Sequence, residues 1–417
     1  MTTSSAESEA TVKTGPAHSK FAFLLILATV FLDTIGFGII IPVTPALIVE
    51  LTGEGLGPAA TYGGWLLFLY AAMQFIVAPI IGSLSDHFGR RPVILFSLFA
   101  FGIDYLIMGF APTLFWLFVG RLLAGIAGGS FVSANAYIAD ITEPDKRAGR
   151  FGLIGAAWGL GFICGPVIGG LLGEFGSRVP FFVGAGTAAL TFVFGYFALP
   201  ESLPPEKRRA FTWARANGLG TLKSMRRFPV VFGLFGTLAL FQIAHDSMPA
   251  VWTFYTIFKF DWTTSQVGLS MGMFGLCVAL VQGGLTGPAV KRFGERRAAL
   301  FGLTAGAIGF FGFAFASTGW MLYAWILPWS LMGLAMAAVR GLMSSLVPED
   351  SQGELQGAMT AIFSLSAIVA PLFMTQLFRV FTAETAPVLF PGAPFLAAGL
   401  MMVISVLWFQ AVVKKVA

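Results

Sequence analysis

Twelve apolar stretches separated by polar turns run along the chain, at residues 21–48, 62–84, 92–111, 113–139, 149–173, 179–199, 229–257, 264–287, 298–317, 319–346, 353–380 and 388–412. At a rise of ~1.5 Å per residue, about 20 apolar residues cross the ~30 Å hydrocarbon core of a bilayer. Each stretch therefore predicts one membrane-spanning helix. Several exceed that length, which predicts tilted or bent helices, with Pro42, Pro45, Pro79, Pro166, Pro249, Pro328 and Pro371 at the bends.

The turns repeat. The skeleton of Gly82-Ser-Leu-Ser-Asp-His-Phe-Gly-Arg-Arg-Pro92 returns 205 residues later as Gly287-Pro-Ala-Val-Lys-Arg-Phe-Gly-Glu-Arg-Arg297. The same offset carries Pro166 onto Pro371 and Glu143-Pro-Asp145 onto Pro348-Glu-Asp350. The expected fold is an all-α membrane protein of twelve helices in two six-helix bundles related by a parallel repeat. Its parts are a disordered polar tail (1–20), a first bundle (21–200), a linker (201–228) and a second bundle (229–417).

Composition supports this class. The chain is 57% hydrophobic and 11% charged over 417 residues, too little polar surface for a soluble protein of that size. Cys164 and Cys277 lie inside apolar runs, where packing cysteines are expected rather than a disulfide or metal site. The first apolar run is too long for a cleaved signal and is read as a retained helix.

Placement of charge sets the orientation. Twenty of the twenty-five Lys and Arg residues fall in the tails, the linker and the even-numbered loops, against Arg178, Lys259 and Arg379 on the other side. The positive-inside rule then puts both termini and the linker in the cytoplasm, in the inner membrane of the cell. Basic residues scattered over short loops give no nucleic-acid surface. Within the linker, Trp213–Arg227 has the composition of a basic amphipathic helix on the inner membrane surface, although a plain tether is the simpler reading.

Charges at membrane depth are costly and mark functional candidates. Asp33, Asp104, Arg121 and Asp246 lie inside spans, with Arg340 nearer a helix end. Counting residues puts Asp33, Asp104 and Arg121 each ~18 Å from the cytoplasmic end, on three helices of the first half. Two acids and one base at one level form a titratable cluster. As a proton relay, Arg121 keeps its charge while a carboxylate gains and loses a proton. As a structural bridge the three would only pin helices, which apolar residues do without desolvation. The second half has no copy, since Leu238 and Ile326 stand at the offset positions of Asp33 and Arg121.

Span 7 instead carries Gln242, His245 and Asp246, placed nearer the outer face and able to bind a ligand or a proton. Polar residues inside apolar spans (Gln74, Ser133, Asn135, Gln282, Gln376) and aromatic or Met residues (Trp158, Phe162, Trp252, Phe254, Tyr255, Met271, Met273, Trp325, Trp329) are further cavity candidates. From these the expected substrate-contacting set is Gln74, Asn135, Gln242, His245, Asp246, Trp252 and Gln282. In span 5, small residues recur at i, i+4 in the pairs Gly155/Gly159, Gly161/Gly165, Gly165/Gly169 and Gly169/Gly173, with Pro166 adding a bend. Such a stripe admits a close helix neighbour, and a sliding surface if that neighbour belongs to the other half.

Several of these stretches resemble known motifs. The Gly82–Pro92 turn is similar to the loop signature of the major facilitator superfamily. Phe31-Leu-Asp33-Thr-Ile-Gly36-Phe-Gly38-Ile-Ile-Ile-Pro42, Gly120-Arg121-Leu-Leu-Ala-Gly125, Ala136-Tyr-Ile-Ala-Asp140 and the glycine-rich span 5 resemble its twelve-helix drug/proton antiporter branch. Ile103-Asp104-Tyr105 and Pro249-Ala-Val-Trp252 look most like its tetracycline/proton antiporters. The resemblance implies proton coupling at Asp33, Asp104 and Arg121. It implies gating by Gly82, Asp86, Gly89, Arg90 and Arg91, with Asp86 against the start of helix 11. Gly165 and Pro166 would belong to the antiporter motif. One position departs from the group: its tetracycline exporters carry an acid in helix 9, where this chain has Gly306 and no acid in the span.

The expected function is export of drug-like amphipathic compounds, tetracyclines among them, in exchange for protons. Proton-coupled import of a small metabolite is the alternative within the same fold, and a non-transporting receptor or scaffold the alternative outside it. No span or loop pairs a nucleophile with a base, or offers a metal-ligand set or nucleotide loop, so no enzyme and no cofactor is expected. The expected partners are a small-molecule substrate, protons and membrane lipid, around a monomer.

Overall fold

The computed structural model describes residues 16–128, 130–143, 146–209 and 224–414. Proline sets several helix starts, because its fixed φ suits the first turn and its missing N–H has no helical partner there anyway. Thus α6 (Val179–Ala198), α7 (Pro229–Phe260) and α12 (Ala393–Val413) begin on or beside a proline, while α1 covers Pro16–Ile39. The remaining spans are α2 (Leu56–Phe88), α3 (Arg90–Gly109), α4 (Leu114–Ile141), α5 (Arg147–Gly173), α8 (264–293), α9 (295–315), α10 (Gly319–Ser345) and α11 (Gln352–Thr382).

Among the described residues, eleven helices are long and apolar enough to cross a membrane. The longest, Thr264–Phe315, has 52 residues and is broken at Gly294 (φ 77°, ψ 162°), so it crosses twice and supplies the twelfth span. Gly89, 205 residues earlier, breaks α2 from α3 in the same conformation (φ 106°, ψ 163°). A positive φ of this kind is cheap only for glycine. The repeat read from sequence is therefore also a repeat of backbone geometry.

Two details of the expected layout change. The run expected as one span at 21–48 stops at Ile39, turns through Pro42 and resumes as a short helix, Thr44–Thr52. Residues 16–20, expected within the disordered tail, belong to α1; the rest of that tail lies outside the described residues. The amphipathic helix expected at Trp213–Arg227 also falls, through residue 223, outside them; Met225–Arg227 form one 3-10 turn.

The packing partners repeat as well. In the first bundle α1 packs on α5 and α6, and α3 on α4 and α6; in the second α7 packs on α11 and α12, and α9 on α10 and α12. Between bundles α5 meets α8 and α2 meets α11. Both crossings use glycine, which lets backbones approach. A β-carbon on Gly268 would lie 3.0 Å from Gly170 Cα, and one on Gly64 would lie 3.1 Å from the Pro371 carbonyl.

These contacts gather at the end of the molecule away from the basic loops. The Glu174 carboxylate at the end of α5 accepts from the Ser265 N–H (3.1 Å) and the Thr264 hydroxyl (3.3 Å) in the first turn of α8. Its pKa is held below the ordinary value by the Ser265 N–H and then by the Thr263 and Thr264 hydroxyls. Toward the basic end the helices diverge. Nothing lies within 4 Å of a β-carbon placed on Gly149, Gly152, Gly155 or Gly159 of α5, or on Gly283, Gly284 or Gly287 of α8. The molecule is shut at one end and parted at the other.

Candidate functional site

The glycines of α4 build the buried end of the site. At Gly120 the missing side chain leaves room for the Asp104 carboxylate from α3, since a β-carbon there would lie 2.5 Å from Oδ1. Asp104 is fully buried and its Oδ2 pairs with the Arg121 guanidinium, which is itself 6% exposed. Asp104 Oδ1 and Arg121 Nε have no partner among the described residues. A pair with spare donor and acceptor capacity is not a saturated strut.

Two tyrosines connect this pair to the rest of the bundle. Arg121 lies over the Tyr70 ring of α2 at 5.9 Å, and Phe37 of α1 packs on the same ring. Tyr105 of α3 reaches Gly36, where a β-carbon would sit 3.0 Å from its hydroxyl. Asp33 is half-buried and engaged, and its charge bears on both phenols together with those of Asp104 and Arg121. All three charged residues thus share one neighbourhood in the first bundle, with Tyr70 and Tyr105 between them. The sequence reading missed these tyrosines. The available signal was their rarity, seven in the chain, and Tyr105 standing next to Asp104.

From Tyr70 a polar path leads outward. Gln74 Nε2 donates to the Tyr70 hydroxyl and to the Gly128 carbonyl, each at 3.4 Å. Gln74 and Gly128 line a cavity of about 430 Å³ between α2, α4 and α11, whose far wall includes Gly357, Thr360 and Ser364. The other residues expected to contact a substrate are spread more widely. Asn135 is half-buried on α4 and engaged. Gln282 is exposed, in a π-helical turn at Val281–Leu285.

Gln242, His245 and Asp246 form a second cluster. Asp246 Oδ1 accepts from Gln242 Nε2 (2.8 Å) and lies 3.2 Å from His245 Nδ1, while His245 stacks on Trp329. Asp246 is 17 residues from one end of α7 and 14 from the other, so it sits mid-helix rather than near the outer face. Trp252 departs from expectation. It has no exposed surface, donates to Ser270 Oγ (2.9 Å) and is boxed in by Phe274, Phe313 and Phe395. It is core of the second bundle, not cavity wall.

The Gly82–Pro92 turn also differs from what the resemblance implied. Asp86 pairs with Arg90 (2.5 Å) and not with the start of α11, because the bundles are parted at this end. Arg90 further reaches Asp140 of α4 (3.1 Å) and Ser85 (3.0 Å), and Arg91 stacks on Tyr196 of α6. Gly82 leaves open room beside Val132. Glu201, read only as part of a tether, accepts from the Arg90 and Arg91 N–H groups (2.9 and 3.3 Å) and so caps α3. Asp86, Arg90 and Arg91, expected to gate, here bond to residues of the first bundle and to Glu201 at the start of the linker.

The α5 stripe divides in two. Gly165 faces Gly38 of α1, and the Pro166 carbonyl faces Gly268 of α8 in the other bundle. Gly155 and Gly159, expected as packing positions, have no neighbouring helix within 4 Å of where a β-carbon would stand, since they lie where α5 and α8 have separated. Gly306, at the place of the missing acid, is closed in by Met332 and Met402, so no carboxylate fits there without displacement.

Comparison with known proteins gives concordant relatives. The Major Facilitator Superfamily sequence model matches residues 26–371 and 247–416. The chain is 40% identical over 364 residues to the class C tetracycline resistance protein of Escherichia coli, covering 86% of this chain and 90% of that one. It is 38% identical to the class G protein of Vibrio anguillarum (85% and 90% covered) and 29% identical to multidrug resistance protein 2 of Bacillus subtilis (strain 168) (93% and 94%). Among solved structures, the nucleoside transporter NupG aligns with TM-score 0.75 at 16% identity, covering 94% of this chain and 99% of that one. A bacterial homologue of the human lysosomal transporter Spinster, in an inward-facing and unoccupied conformation, aligns with TM-score 0.74 at 15% identity (95% and 96%).

Proposed function

The chain belongs to the major facilitator superfamily, and from that premise we propose that it is a proton-coupled exporter of amphipathic drug-like compounds, tetracyclines among them. The observation that carries this reading is the buried Asp104–Arg121 pair, one tyrosine and one glutamine away from the cavity. Asp33, Asp104 and Arg121 are the proton-coupling group, and Gln74 is the link between it and the cavity. Relatives carrying tetracycline and multidrug resistance names over most of their length support the drug-export reading.

The basic end faces the cytoplasm of a bacterial inner membrane, by the distribution of Lys and Arg, and both termini lie there. The structure then corresponds to an inward-open state of a monomer in lipid. Two units, 21–200 and 229–417 joined by the linker 201–228, rock about the glycine contacts of α5 with α8 and α2 with α11. One proton moving down 100 mV supplies about 2.3 kcal/mol. At about 1.4 kcal/mol per decade, that sustains a ~50-fold gradient of a neutral solute.

The test is substrate-driven proton movement in proteoliposomes, with tetracycline and a panel of amphipathic dyes as probes. Asp33→Asn is expected to abolish coupled movement while the protein inserts and binds. Full proton-driven transport by that variant, or no proton movement by the wild type with any probe, sinks the proposal.

A further inference from the structure

Arg340 stands on α10, five residues from its basic end, and is exposed although it lies within a span. Its guanidinium carbon lies 4.9 Å from the centre of the Phe363 ring on α11. Arg121 is matched by Asp104, whereas Arg340 forms no ion pair among the described residues, the Glu295 carboxylate lying instead against the next residue, Gly341. An arginine within a span that forms no ion pair calls for a reason.

The direction of the side chain supplies one. Met332 and Ala335 of α10 press on Gly306 and Gly302 of α9. At about 100° per residue, Gly333, Ala337, Arg340 and Ser344 form a separate stripe turned away from α9. Gly333 in that stripe faces Gln282 of α8, 3.4 Å from its Cγ. Phe363 adjoins Thr360 and Ser364, which line the cavity from α11. Arg340 therefore sits against α11 beside the residues that line the cavity, on the face of α10 whose Gly333 meets α8 two turns away. Its counterpart in the repeat is Asn135 on α4, a helix that lines the same cavity through Gly128 and Val132.

A guanidinium laid on an aromatic face keeps its in-plane N–H groups free for two parallel hydrogen bonds to an oxyanion. We propose that Arg340, seated on Phe363, is the docking point for the acidic group of an amphipathic molecule entering the cavity. This deepens the exporter reading and rests on it: the apolar body lies on the cavity wall while the anionic head holds at Arg340. An anionic lipid headgroup offers the same chemistry, so the test must separate the two sources.

The probes are 1-anilinonaphthalene-8-sulfonate and N-phenyl-1-naphthylamine, which share a ring system and differ by one sulfonate. Saturable binding is read by fluorescence with the full chain in phosphatidylcholine nanodiscs. Arg340→Gln is expected to weaken the sulfonate about tenfold or more and the neutral probe less than twofold, with Arg340→Lys between. Phe363→Leu, which keeps the charge but removes the platform, gives a smaller loss in the same direction. Equal weakening of both probes, or of neither, overturns the proposal. If replacing a third of the lipid by phosphatidylglycerol erases the sulfonate's preference, the site belongs to lipid and the substrate assignment falls. Proton-driven movement of the probes is measured separately on the wild type in vesicles, so failure of the exporter reading is distinct from failure of the Arg340 subsite.

Discussion

Where the first bundle seats the Asp104 carboxylate against Gly120, the second seats Trp329 against Gly309. Both are glycine gaps between the same pair of helices in the repeat, α3 with α4 and α9 with α10. The content is opposite. One gap holds a buried acid paired with Arg121; the other is closed by the Trp329 backbone, whose indole extends into a cluster of Phe274, Phe310 and Phe313. Repeating the backbone did not require repeating the chemistry. At this crossing the first half carries a buried ion pair, while the second carries packed aromatic rings.

Breaking the pair is the severest way to test that contrast. Arg121→Ala leaves Asp104 buried without its counter-charge, an expected loss of about 3–5 kcal/mol, read by thermal or denaturant unfolding in detergent. The double variant Asp104→Asn/Arg121→Gln should recover most of that stability and still move no protons. Normal proton movement by the double variant would reduce the pair to a strut.

Filling the two gaps in turn sharpens the comparison. Gly309→Ala pushes a methyl to within 2.6 Å of the Trp329 backbone, and Gly120→Ala pushes one to within 2.9 Å of Met108 as well as into Asp104. Each overpacks a helix crossing and should cost about 1–3 kcal/mol. Only Gly120→Ala should also shift the pH dependence of transport. Equal effects on the pH profile would erase the distinction between the halves.

The mildest change is at the closed end. Glu174, with its lowered pKa, favours the shut arrangement of α5 on α8. Because the pKa is depressed in that state, the contribution is complete above the ordinary carboxylate range and fades as pH falls through the lowered value. Glu174→Gln should therefore raise the population open at this end, most visibly at neutral pH. Spin labels on the outer ends of α5 and α8 would report it as a longer distance, and an unchanged distance would refute it.

The spans were legible because a bilayer imposes one length and one chemistry on every helix, which leaves a plain mark on the sequence. Depth counting likewise found Asp104 and Arg121, since partners on adjacent helices must share a level. Glu201 and Glu174 were not legible. Each accepts from backbone N–H groups about a hundred residues away, at Arg90 and at Ser265, and a backbone donor has no residue signature. Trp252 was misplaced for another reason: amid 44 phenylalanines, composition does not say which ring faces a cavity and which faces other rings. Asp86, Gly155 and Gly159 differ from expectation because their contacts depend on which end of the molecule is open.

The single-residue joints at Gly89 and Gly294 have a mechanical consequence. With one amino acid connecting α2 to α3, and one connecting α8 to α9, neither hairpin has slack. Any swing of α2 or α8 is handed at once to α3 or α9, so each pair moves as one stiff lever. Lengthening either joint by a few flexible residues would let the front helix move without dragging the back one. Force generated near the pivot would then dissipate before it reached the mouth.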